Sequence, residues 1–254
     1  MTRFLIISIF IFVNQLSANN KDEKIFKNII SNYNLEKSLE DFWFTEEQSK
    51  ILCGEYPLST ICELKAVYVT NEIRKKRIMY LLNQISQKYN IDKKLVYKLN
   101  SKYLKYIYKN QKVDHILMHC SICREKSIRE DLSVFENNLE SILENRIKIL
   151  PFYDDTETDK NLNYKPLIKS TYEENLILIE ELKNNDEIEY KKLKKDFIDI
   201  HKLWNDYETT LTLFLNKTKK NDYEWEKLFY KDRIHYLHRQ KDSFEDIKNF
   251  PILD

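Results

Sequence analysis

The chain holds one glycine, Gly54, and two alanines, Ala18 and Ala66, in 254 residues. Glycine-rich phosphate loops need several positions without a Cβ, so G-x-G-x-x-G turns, Walker loops and G-x-S-x-G elbows are excluded. Tight hairpins built on Asn-Gly or Asp-Gly are equally unsupported. There are four prolines. Breakers are therefore scarce, and the chain reads as mostly helical. Beyond an N-terminal run from Phe4 to Val13, no apolar stretch approaches the ~20 residues that cross a bilayer.

What is present begins with that run. Met1, Thr2 and Arg3 precede it, and Ala18 offers a small residue for cleavage, which is the layout of a secretory signal peptide over residues 1–18. The expected location is the secretory pathway, in secretory vesicles or released from them. Without Arg3 the remaining chain has 41 basic and 41 acidic residues. They are unevenly placed: residues 71–130 hold 15 Lys/Arg against 5 Asp/Glu, and residues 131–190 hold 6 against 15. Either the two blocks meet inside the fold or the basic one waits for an anionic partner.

Capping-box patterns occur at Thr45-x-x-Gln48, Thr60-x-x-Glu63, Ser133-x-x-Glu136, Ser170-x-x-Glu173 and Thr171-x-x-Glu174. They predict helices near 23–33, 45–53, 60–89, 92–128, 133–150, 171–215 and 222–248. The expected fold is all-α, an elongated bundle of long antiparallel helices stapled by disulfides. Residues 151–170 are polar, acidic and proline-containing, and read as a linker between an N-terminal helical region, 19–150, and a C-terminal one, 171–254. In the latter, Tyr190, Leu193, Phe197, Ile200, Trp204, Tyr207, Leu211 and Phe214 recur at spacings of 3 and 4. That is one apolar side of a long helix, too aromatic for a plain zipper and suited to a bundle core, with a homodimer seam as the alternative.

Cys53, Cys62, Cys120 and Cys123 form an even set in a secreted chain and read as two disulfides. If 60–89 and 92–128 make a hairpin turning near Asn90, Cys62 and Cys120 stand level, and the expected pairs are Cys62–Cys120 and Cys53–Cys123. The local alternative pairs Cys53 with Cys62 and Cys120 with Cys123. His115, His119, Cys120 and Cys123 also have the residue types of a zinc site, but an oxidising compartment and the lack of a second knuckle argue against it. His235 and His238 lack the acidic residue of an H-E-x-x-H helix. No metal, cofactor or catalytic constellation is expected, and the chain is read as non-enzymatic.

Lys94, Lys98, Lys102, Lys105, Lys109 and Lys112 fall within an arc of about 80° on one helix. Tyr97 and Tyr108 flank them. Such a face suits an anionic membrane or an acidic protein partner. It is equally suited to lie in solvent, or to pair with the acidic row Glu136, Glu140 and Glu144. Nucleic acid is not an expected partner, given the balanced charge and the absence of a binding module.

Scarce Gly and Ala beside abundant Lys, Asn, Ile and Tyr look like coding from a very AT-rich genome. With the short signal, four cysteines, helical content and length, the chain resembles the small secreted Plasmodium proteins of invasive and sexual stages. The resemblance implies a role in gamete egress from the host cell and sporozoite traversal of cells, through protein or peripheral membrane contacts. The chain lacks the R-x-L-x-E/Q/D export motif, which agrees with vesicle storage. A structural or chaperone-like component of secretory organelles, or a secreted enzyme with a site assembled from distant residues, are the competing classes.

Overall fold

A computed structural model describes residues 20–37, 39, 44–53, 60–118, 121–144, 163–182, 187–218 and 223–249. The expected signal peptide lies outside them. Among the described residues the chain forms eight helices and no strand. These are α1 (Asn20–Asn32), α2 (Glu46–Cys53), α3 (Thr60–Tyr89), α4 (Lys93–Met118), α5 (Ser121–Glu144), α6 (Tyr164–Glu181), α7 (Glu187–Lys217) and α8 (Tyr223–Asn249). The all-α expectation holds. No described helix is long and apolar enough to cross a membrane.

Several boundaries follow local chemistry. The Thr45 hydroxyl accepts the Gln48 N–H at 3.1 Å and the Gln48 side chain accepts the Thr45 N–H at 2.9 Å, a complete capping box ahead of α2. At the end of α3, Asn90 adopts φ 53°. The Ile91 N–H then reaches back to the Ser86 carbonyl at 2.9 Å, closing the helix with a left-handed residue. Two residues on, Asp92 Oδ1 accepts the Lys94 N–H at 2.8 Å and starts α4. The chain thus turns at Asn90 as expected.

Other boundaries differ from expectation. Ser133 and Glu136 lie inside α5, and Ser170 and Thr171 inside α6. A capping box stabilises a helix start only where N–H groups lack acceptors, and within a helix those donors are already bonded. The Ser170 hydroxyl donates back to the Leu167 carbonyl at 3.0 Å instead. Residues 164–170, expected in the linker, are helical. Pro166 is tolerated because it sits in the first turn of α6. In place of the single helix expected over 171–215, α6 ends at Glu181 and α7 begins at Glu187, and residues 183–186 lie outside the described residues.

The chain divides into two compact units, residues 1–77 and 78–254. In the first, α1 packs on α2, and Phe26, Ile29, Ile30, Leu39, Leu52, Val69 and Ile73 share a small core. The Arg77 guanidinium donates to the Leu35 carbonyl. Cys53 and Cys62 are joined by a disulfide, with Cα atoms 4.6 Å apart. This overturns the expected Cys62–Cys120 and Cys53–Cys123 pairs. Consecutive helix ends nine residues apart bring Cys53 and Cys62 together without any long-range register. Cys120 lies outside the described residues, as does the side chain of Cys123.

The second unit is a bundle built from the end of α3 and from α4 to α8. The Tyr103 hydroxyl donates to the Asp131 carbonyl at 2.6 Å and Gln111 Nε2 to Ser127 Oγ at 3.0 Å, which makes α4 and α5 antiparallel. Ion pairs from Lys102 to Asp206 and from Lys109 to Asp196 set α7 antiparallel to α4. Glu174–Lys241 and Glu181–Lys248, both at 2.8 Å, keep one sequence offset, so α6 and α8 run parallel. All eight seam residues from Tyr190 to Phe214 are buried in one core that also holds Val96, Leu99, Ile107, Leu139, Ile168 and Phe244. The seam is a bundle core, each residue contributing roughly 1.5–3 kcal/mol of apolar burial. Helices on both sides of residues 151–162 share that core.

Candidate functional site

Helix α4 has two opposed sides because its apolar residues repeat at 3 and 4. Val96, Leu99, Tyr103, Tyr106, Ile107 and Asn110 face the core and are buried. The other side carries the lysine row, and the structure divides that row. Lys109 forms ion pairs with Asp196 and, at 4.0 Å, Asp199 on α7. Lys102 approaches Asp206 Oδ1 at 3.7 Å and donates to the Asp206 carbonyl at 3.1 Å. Lys94, Lys98 and Lys105 are exposed and have no hydrogen-bond or ion-pair partner among the described residues. The Lys112 side chain lies outside the described residues.

The two paired lysines, Lys102 and Lys109, turn to α7, whereas the acidic row Glu136, Glu140 and Glu144 was the alternative partner read from the sequence. Helix rotation explains this. Lys102 and Lys109 occupy the edge of the arc nearest the core, where α7 runs alongside, while Glu136 and Glu140 are themselves buried, at 2% and 5% exposed. Beside the free lysines, Tyr97, Asn100, Ser101, Leu104, Lys105, Tyr108 and Lys109 line a shallow groove of about 720 Å³. Tyr97 is 58% exposed. An apolar strip thus runs next to a cationic one along the same outer face, and its chemistry is that of a contact surface for anionic, partly apolar matter.

A second arrangement lies inside the bundle. Arg233 of α8 is 1% exposed. Its guanidinium carbon stands 5.6 Å from the rings of Tyr106 and Trp204 and 5.8 Å from Tyr236. Nη1 donates to the Tyr106 hydroxyl at 3.2 Å. Burial drives the Tyr106 phenol up to about 12, against the opposing pull of Arg233. The phenols of Tyr103 and Tyr207 are likewise raised well above the ordinary value, again chiefly by burial. His201 stacks on Tyr172 with ring centres 3.7 Å apart. Burial, and then the Arg233 charge, lowers its pKa to about 4, so it is neutral at pH 7.

Sequence reasoning missed Arg233. The signal was there: Phe229, Arg233, Tyr236, Gln240 and Phe244 keep a helical spacing that places an arginine and an amide on the core side of α8.

For the expected histidine and cysteine chemistry, His119 and Cys120 and the side chains of His115 and Cys123 lie outside the described residues. His235 and His238 are exposed on α8. Among the described residues no group of three His, Cys, Asp or Glu side chains is placed to hold a metal. No protein-family model matches this chain, and no curated protein or solved structure does either.

Proposed function

We propose that this chain is a secreted, non-enzymatic helical protein that acts by contact, with the outer face of α4 as its contact surface for an anionic partner. One observation carries the proposal. Lys94, Lys98 and Lys105 stand exposed next to the exposed Tyr97, unpaired among the described residues, while neighbouring Lys102 and Lys109 are engaged by α7. Unpaired cations beside an apolar strip attract acidic protein surfaces and anionic membranes by the same electrostatics. The layout-level resemblance to small secreted Plasmodium proteins supplies the setting: discharge from secretory vesicles during gamete egress and sporozoite traversal.

The test replaces the free lysines only. A Lys94→Glu, Lys98→Glu, Lys105→Glu chain is expected to fold and be secreted normally but to fail to support egress of activated gametes. The unmodified chain, tagged, is expected in vesicles before activation and in the medium afterwards. Full egress with the charge-reversed chain would overturn the reading. Flotation of the purified protein with phosphatidylserine vesicles at low salt then separates a membrane target from a protein one.

A further inference from the structure

The Arg233 guanidinium has more donors than the protein satisfies. Nη1 bonds Tyr106, but among the described residues Nε and Nη2 have no hydrogen-bond partner, and the side chain is 1% exposed. An arginine does not discharge by losing its proton, so the charge persists in the core. Three aromatic rings at 5.6–5.8 Å stabilise the cation through their π-electrons, but they do not replace the oxygen acceptors its N–H groups had in water. The unsatisfied pair is also the particular edge, Nε with Nη2, that binds a carboxylate through two parallel hydrogen bonds.

The two carboxylates that raise the Tyr106 phenol accept from other side chains. Asp131 Oδ2 accepts from Gln111 at 3.0 Å and Asp232 Oδ2 from Asn138 at 3.2 Å, although both still act on the Tyr106 phenol through space. Around the same core the Tyr207 hydroxyl, Gln240 Oε1 and Asn110 Oδ1 also lack partners. Leaving a buried polar group unpaired is costly, and more so when it is charged.

We infer that the Nε/Nη2 edge of Arg233 is an internal binding site for a small planar carboxylate. With Arg233 1% exposed, only a guest of a few heavy atoms is proposed. The site is separate from the α4 surface and does not depend on it.

The probe is 13C-formate, added to the full secreted chain and followed by NMR. A bound resonance is expected, with cross-relaxation to the Trp204 indole and Tyr106 ring protons. Arg233→Lys keeps the charge but loses the two-pronged edge, and should weaken binding at least about tenfold. Arg233→Met removes both and should abolish it while remaining folded, because an apolar side chain of similar length fills the space. Absence of a bound signal at about 0.1 M formate, where even a ligand of millimolar affinity would saturate the site, overturns the inference and leaves water as the occupant. So does a signal that persists in folded Arg233→Met.

Discussion

Lys109 of α4 and Asp196 of α7 form an ion pair whose side chains are only 24% and 14% exposed. The pair fastens the two most extensively packed helices of the second unit and takes Lys109 out of a row that looks uniform in sequence. A partly shielded pair of this kind is worth about 1 kcal/mol, above the usual surface value. A double-mutant cycle with Lys109→Ala and Asp196→Ala, read by urea unfolding, should return a coupling energy of that size. The same cycle on Lys98 and Asp196 should return none.

The Cys53–Cys62 bridge closes a short loop between α2 and α3. By the chain-entropy relation, a loop of about ten residues stabilises the folded state by about 3 kcal/mol. Cys53→Ser with Cys62→Ser should therefore lower the unfolding free energy by about that amount. Peptide mapping without reductant should recover a Cys53–Cys62 linked fragment from the unmodified chain.

Acid should weaken the α6–α7 contact. His201 binds a proton near 6.5 when unfolded and only near 4 when folded. Between those values the unfolded chain holds more protons, so this group's contribution to stability is intact above pH 6.5 and lost as pH falls toward 4. Allowing for the partial exposure of the ring, the loss is about 1–2 kcal/mol. Replacing His201 with Phe keeps the stacking on Tyr172 and should flatten the stability profile between pH 6.5 and 4 relative to the parent. Parallel profiles for the two proteins would refute this assignment.

Legibility in the sequence followed the range of the interactions involved. The spacing from Tyr190 to Phe214 identified a core side because helical periodicity is set by backbone geometry alone, and every one of those residues is buried. The turn at Asn90 was equally readable, since a left-handed residue and an adjacent Asp cap act within a few positions. Capping boxes were less secure. Thr45 and Gln48 form one, but the same pattern at Ser133 and Ser170 lies within helices whose N–H groups need no cap.

Local chemistry encoded in the sequence thus determined the helices, their core sides and the existence of a lysine row on α4. Tertiary structure decided the rest. It chose Cys53–Cys62 over the long-range pairs, turned Lys102 and Lys109 toward α7 while leaving Lys94, Lys98 and Lys105 in solvent, and enclosed Arg233 among three aromatic rings. Each outcome depends on which helices lie side by side and how each is rotated about its axis. That follows from the packing of whole faces against one another, a sum over many distant residues that no short spacing in the chain records.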